Sequence, residues 1–186
     1  AGLRGGLTLG SPILLAVWNA DHENWKQLMD PWEISKGAEL YTPRPGHADL
    51  AGAARFRHRD LRNVLERASA RETAGRVAAG GLLRSFLAEL GIGVNSWVTR
   101  IGTVHYDGPF DKGARDASSV FCPDDLATRE MERAIDVAAS SGDSLGGEFA
   151  LAVEGMPAGI GSCTQWDQRL DAQLAMHLMS IPAIKA

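Results

Sequence analysis

The sequence predicts an α+β fold, and three features of its 186 residues point that way. Segments with helix period and segments with strand period are interleaved, but without the regular strand–helix–strand alternation that builds a parallel sheet. No dinucleotide-type glycine fingerprint follows any strand-like run. An apolar content of 45% and a charged content of 23% are those of an ordinary globular chain, long enough to bury one core, so a single domain over 1–186 is expected.

The elements follow in order. "SPILLAV" (11–17) reads as a buried strand. Residues 19–39 are polar and broken by Pro31 and Gly37, which suits a loop with a short helix. Trp18, Trp25 and Trp32 recur every seven residues, but too briefly and across a proline, so packing or chance explains them better than a heptad seam. From Asp60, Leu61, Val64, Leu65 and Ala68 take helical spacing. "SARE" (69–72) fits a capping box, and the helix it opens runs to about Leu90, before Gly91. "VNSWVTRIGTVHY" (94–106) reads as a strand, rich in β-branched and aromatic residues. A second long helix follows "PDD", with Leu126, Met131, Ala134, Ile135 and Ala138 on one face and Gly142 as its stop. Residues 146–155 alternate as a half-buried strand, and 167–180 form a third helix with Leu170, Leu174 and Leu178 stacked.

Charge is distributed unevenly. Residues 44–76 hold eight arginines, no lysine and four acids, whereas the rest of the chain carries eleven basic and nineteen acidic residues. Arginine presents a planar fork of donors that matches carboxylate and phosphate, so an all-arginine island in an acidic chain points to a small polyanion. A nucleic-acid module using Arg55, Arg59 and Arg62 on one helical face is the competing class, and the acidic remainder argues against it. No apolar run is long enough to span a bilayer, and no set of histidines or cysteines has metal-ligand spacing. Cys122 and Cys163 stand 41 residues apart without a Cys-x-x-Cys partner, which favours idle thiols in a reducing compartment such as the cytoplasm. The chain starts at Ala1 rather than Met and stops after "SIPAIKA", so a fragment of a longer protein is expected.

Two places could carry chemistry. The helix start at Ser69 would offer unpaired amides and a positive dipole end, flanked by Arg67 and Arg71, which is either an anion site or an ordinary capped helix. In "TPRPGHAD" (42–49), prolines stiffen the chain around Gly46 and mount His47 three residues after Arg44. Such a histidine could act as a general acid beside an anionic ligand, although spacing alone favours a plain loop histidine. Asp49 would either orient the imidazole or cap a short helix over 50–56. His58, between Arg57 and Arg59, reads as a solvated or rim residue.

The segments "RGGLTLGSPILLAV", "RPGHADLAG", "RDLRNVLERASARETAGRVAAG", "GDSLGG", "GMPAGIGS", "QWDQRLDAQLA" and "LMSIPAIK" succeed one another as they do in chorismate synthases, which this chain resembles over essentially its whole length. The resemblance implies a βαβ sandwich of antiparallel sheets around helices, assembled as a homotetramer in the cytoplasm, or in the plastid if the source is a plant. It implies the conversion of 5-enolpyruvylshikimate 3-phosphate to chorismate by anti-1,4 elimination of phosphate, with reduced FMN and no net redox change. Whether the enzyme reduces its flavin with NADPH or depends on a separate reductase stays open. By position, the resemblance makes His47 the proton-donating residue and gives substrate contacts to Arg44, Ser69 and Arg71. Flavin contacts fall to Arg67, Ala68 and Ser69, and to Pro182 and Ala183. No metal and no nucleic acid are implied. Leu7 stands where relatives commonly carry a basic or polar residue, and Arg57 where they commonly carry glycine. The family's Gly-Glu-Ser-His segment and its late flavin loops have no counterpart in these 186 residues, so this stretch alone is expected to be inactive and to bind FMN poorly. A catalytically dead scaffold relative is a further alternative.

Overall fold

A computed structural model describes residues 1–33, 37, 39–68 and 71–186, with Arg71 described in its backbone alone. The chain is α+β, with helices and two antiparallel sheets. It divides into two compact units, 1–83 with 161–186, and 84–160.

The first unit opens with a hairpin of β1 (Leu3–Arg4) and β2 (Leu7–Thr8), joined by Gly5 and Gly6. The glycines of "GGLTLG" therefore serve a two-residue turn. The run predicted as a strand at 11–17 is not one. It carries no ladder pairing, and Leu14 and Val17 are exposed. Apolar content signals a need for burial, but a strand also needs an edge whose backbone groups it can pair with. A one-turn helix α1 (His22–Trp25) follows, with Asp21 accepting hydrogen bonds from Asn24 Nδ2 and Trp25 Nε1. Trp18 and Trp32 are almost fully exposed, whereas Trp25 lies under the Arg62 guanidinium at 5.3 Å, so the tryptophans form no stripe.

Helices α2 (Asp49–Phe56) and α3 (Arg62–Arg67) pack closely because Gly52 faces Val64. A Cβ at Gly52 would stand 2.4 Å from Val64 Cγ1, which no real contact tolerates. Leu61 and Val64 are buried there. Asp60 Oδ1 accepts from the amides of Leu40 and Arg62, and the Leu61 amide donates to the Leu40 carbonyl, which ties the 39–41 segment to the start of α3. Arg57 ends α2 in the left-handed conformation, φ 57°, its amide donating to the Ala53 carbonyl. That is the helix-stop position at which glycine costs least.

Helix α4 (Arg71–Glu89) occupies nearly the span predicted from 69 to 90; the capping box itself rests on Ser69, outside the described residues. The second unit then forms a three-stranded sheet, β4–β3–β5. The single strand predicted at 94–106 is a hairpin, β3 (Gly93–Ile101) and β4 (Val104–His105), turning at Gly102 and Thr103. β5 (Gly147–Glu154) pairs along the other edge of β3, with a register shift between Val98 and Arg100. The extra residue changes the strand's parity, so Val98 and Ile101 both reach the core cluster of Cys122, Ala127 and Met131. Short helix α5 (Lys112–Ala117) leads to α6 (Asp125–Ser141). The predicted "PDD" start is correct: Asp124 accepts from the Ala127 amide at 2.7 Å. Met131 and Ala138 are buried as expected, but Leu126 and Ile135 are exposed, and Thr128 is buried in their place. Burial pushes the Cys122 thiol up, while Cys163 is exposed; both are free. Phe149, Leu151 and Val153 share one face of β5 and remain largely exposed.

The third predicted helix begins as a 3₁₀ turn (Trp166–Gln168) and continues as α7 (Leu170–Met179), returning the chain to the first unit. Among the described residues, no helix is long and apolar enough to cross a membrane.

Candidate active site

The site residues expected from the sequence lie in the first unit, 1–83 with 161–186. Its most specific local structure is the turn Arg44–Pro45–Gly46–His47. The His47 amide donates to the Arg44 carbonyl at 3.3 Å, and Gly46 has φ +71°. Proline at the second position and a positive φ at the third define a type II turn. Glycine enters that region without the Cβ clash other residues meet. His47 Nδ1 lies 2.9 Å from the Pro45 carbonyl oxygen. A carbonyl can only accept, so this contact requires the Nδ1–H tautomer and leaves Nε2 as the outward nitrogen.

The role of Asp49 differs from both alternatives posed by the sequence. Its carboxylate neither holds the His47 ring nor caps α2. It is almost wholly buried and takes three hydrogen bonds from Arg44: Oδ2 accepts from the backbone amide and from Nε, and Oδ1 from Nη2, each at 2.9 Å. The two-pronged side-chain bond and then the amide bond hold the Asp49 carboxyl well below the usual carboxylate range, and the same bond raises Arg44. Arg44 is thus locked across the turn that mounts His47 through its Nε and Nη2 nitrogens.

α2 continues directly from this turn and forms one wall of a cleft of about 440 Å³. Ala48, Ala51, Gly52 and Phe56 line that wall, and Asn63, Val64, Arg67 and Ala68 of α3 and its end line the other. The lining is mainly apolar, with Asn63, His58 and Arg67 as its polar members. An apolar cleft with an exposed arginine in its lining can take a flat ring system bearing an anionic tail. Arg67 Nη1 lies 3.5 Å from Glu72 Oε2, and the side chain is otherwise highly exposed.

The remaining expected residues are placed as follows. Arg67 and Ala68 line the cleft, whereas His47 and Arg44 do not: they belong to the turn that precedes Ala48 in the chain. Ser69 lies outside the described residues, and Arg71 heads α4 with only its backbone described. Pro182 and Ala183 form a second turn beyond α7, in which the Ile184 amide donates to the Ile181 carbonyl at 3.2 Å and Ala183 has φ +71°. Sequence reasoning missed Glu72, Arg76 and Ser180 as partners. Glu72 accepts from Arg76 Nη2 at 3.4 Å, and Arg76 Nη1 donates to Ser180 Oγ at 2.9 Å. The i, i+4 spacing of Glu72 and Arg76 on α4 was the available signal for that pair.

The arginine island is therefore not a single basic face. Arg55 lies in the last turn of α2, Arg59 in the connection, and Arg62 in α3 over Trp25. That dispersal overturns the shared helical face on which a nucleic-acid module was considered. No cluster of three or more potential metal ligands occurs among the described residues.

The family model for chorismate synthase matches residues 1–186. Chorismate synthase of Desulforudis audaxviator is 54% identical over 192 aligned residues, covering 100% of this chain and 49% of its own length. The enzyme of that name from Moorella thermoacetica is 52% identical, again over 100% of this chain and 49% of its own. A crystal structure of chorismate synthase superposes with a TM-score of 0.70 at 40% identity, covering 75% of this chain and 45% of the other. The chain thus spans about half the length of the relatives it matches. With the model matched from end to end and the fold shared at that level, the chain belongs to the chorismate synthase family.

Proposed function

We propose that the protein carrying this chain eliminates phosphate from 5-enolpyruvylshikimate 3-phosphate to give chorismate, in the presence of reduced FMN. The observation that carries the proposal is the His47 turn: an imidazole fixed through Nδ1 on the Pro45 carbonyl, on the same turn as a locked guanidinium, directly before the helix that walls a mainly apolar cleft lined also by Arg67 and His58. The substrate brings two carboxylates and a phosphate, and FMN one more phosphate, which is the anionic load an arginine-rich, lysine-free segment suits.

The cleft suits the flavin in chemical character, since its lining is mainly apolar and includes the exposed Arg67. Arg67, Ala68 and Ser69 would hold FMN on one side, and Pro182 and Ala183 on another. The residues that would hold reduced FMN would thereby give the site a source of electron density for the loss of phosphate. The chain's own work is binding and proton handling. His47 holds or delivers a proton at Nε2. Arg44 would meet a substrate anion while its Nε and Nη2 nitrogens stay fixed to Asp49. Ser69 and Arg71, which the resemblance assigns to the substrate, would complete the anion contacts. The apolar lining excludes water and so strengthens each of these contacts.

The full-length protein is proposed to act as a cytoplasmic homotetramer, its flavin reduced either by NADPH on the enzyme or by a partner reductase. The deciding experiment is anaerobic assay of the full-length protein with reduced FMN and 5-enolpyruvylshikimate 3-phosphate. Chorismate and inorganic phosphate should appear in equal amounts. A folded full-length protein that binds both compounds without turnover would instead be the scaffold relative.

A further inference from the structure

The two segments assigned to flavin are far apart in sequence, and one side chain spans the gap. Arg76 Nη1 donates to Ser180 Oγ across 104 residues of chain, and Ser180 Oγ in turn donates to the His177 carbonyl at 2.7 Å. The other terminal nitrogen of Arg76 reaches Glu72, whose second oxygen faces Arg67. The polarity is consistent throughout. Two guanidinium groups share one carboxylate through its separate oxygens, and the serine hydroxyl accepts from Arg76 while giving its proton to a carbonyl. At one end of this chain stands Arg67, in the lining of the cleft. At the other stands Ser180, which caps α7 two residues before Pro182.

Partly exposed ion pairs of this kind add little stability. What a fork with two separate bonds supplies is geometry: it fixes a direction and a distance at once. The segment it reaches also needs holding. Ala183 lies at φ +71° with a Cβ, in a region that favours glycine over alanine, and such strain persists only where neighbours over-determine the backbone.

Resting on the flavin assignment above, we infer that Arg76 is a positioning residue, which through Glu72 and Ser180 sets the spacing between the Arg67–Ala68 and Pro182–Ala183 edges of the flavin site. It touches neither flavin nor substrate. Its removal should loosen flavin binding without unfolding the protein.

The test is titration of full-length protein with reduced FMN under anaerobic conditions, alongside thermal melting. Arg76→Ala should weaken FMN binding about tenfold, with a melting temperature close to that of the unsubstituted protein. Arg76→Lys should not restore affinity, because one ammonium cannot make both bonds from two fixed nitrogens. Ser180→Ala, an exposed and conservative change, should reproduce part of the loss, and the double variant should bind no worse than Arg76→Ala alone. Unchanged affinity in Arg76→Ala, or in Ser180→Ala should Arg76→Ala fail to fold, overturns the inference, as do losses that simply add. If the unsubstituted protein itself does not bind FMN, the flavin assignment falls and the positioning role with it; tight binding that ignores Arg76 and Ser180 sinks the positioning role alone.

Discussion

Two turns in the first unit share one backbone design and differ in what they carry. Arg44–Pro45–Gly46–His47 and Ile181–Pro182–Ala183–Ile184 each place proline second, a residue at φ +71° third, and close with an amide-to-carbonyl bond between the first and fourth residues. In the first turn the third residue is glycine, which rests there without strain, and the fourth is a histidine whose ring is fixed on the turn's own carbonyl. In the second, the third residue is alanine and the fourth is isoleucine, so the turn is strained and carries no titratable group. The first is locked from within by the clasp of Arg44 on the buried Asp49, the second from outside by Arg76 on α4. The difference separates two jobs: a relaxed turn presents a reactive group, and a tensioned turn serves as a wall.

The largest effect that could break this division is at the fourth position. His47→Ala in the full-length protein should lower turnover by about 10² to 10⁴ while leaving FMN affinity within about twofold. Ile184→Ala should do neither beyond a small packing loss. Rapid-quench measurement of chorismate formation together with flavin titration reads both. A His47→Ala enzyme with near-normal turnover would mean that the first turn, too, is only a wall.

A smaller effect concerns how the first turn meets the cleft. Its position depends on α2 lying against α3 where Gly52 faces Val64. Gly52→Ala would force the helices apart and should cost about 1–3 kcal/mol, read as a lower urea midpoint. Gly52→Ala with Val64→Ala should recover most of it, since the clash is with one side chain. Failure of that rescue would show that backbone, not the valine, sets the approach.

The third test exchanges the residues that distinguish the turns. Gly46→Ala should destabilise, and Ala183→Gly stabilise, each by about 1 kcal/mol, because only the sign of the left-handed penalty changes. A stabilised Ala183→Gly protein with weaker FMN binding would be the signature of strain retained for function. Destabilisation in both variants would break the equivalence of the two backbones.

The contrast between the turns was only half legible in the sequence. "RPGH" announces itself because Pro-Gly is strong turn punctuation, whereas "IPAI" hides a left-handed residue behind an alanine. Asp49 was misjudged because local rules offer an aspartate at a helix start either a cap or a neighbouring histidine. Its partner is Arg44, five residues back, made adjacent by the turn. The long helices α4 and α6 were visible through their caps and periodicity, and the sheet through β-branched alternation. The hairpin at Gly102 and Thr103 was missed because a two-residue turn inside a β-branched run leaves the composition almost unchanged. The run at 11–17 was over-read because hydrophobicity reports the wish to be covered, not what covers it. Arg76 and Ser180 lie beyond any local rule, since their contact spans 104 residues.

The smallest effect at neutral pH is also the one that most directly compares the two locks. Asp49 has its folded-state pKa lowered, first by the side-chain bonds from Arg44 and then by the Arg44 amide. In the unfolded chain the same carboxyl titrates near the ordinary value of about 4. Between those two values the unfolded state binds more protons, so stability rises with pH there. The clasp's contribution is therefore complete above about pH 4 and is lost as the pH falls from there through the lower folded value. The bond that reaches the second turn runs from the Arg76 guanidinium to the Ser180 hydroxyl, neither of which titrates in that range; the carboxylate of the tie, Glu72, stands at its far end. Acidification should accordingly release the His47 amide before the Ile184 amide, measured as hydrogen-exchange protection after correction for intrinsic rate. In Asp49→Asn the His47 amide should be less protected already at neutral pH, and its acid dependence should disappear. Equal loss at both amides on acidification would mean that the two turns open as one unit, and the separation of a relaxed, acid-sensitive turn from a tensioned, acid-indifferent one would fail.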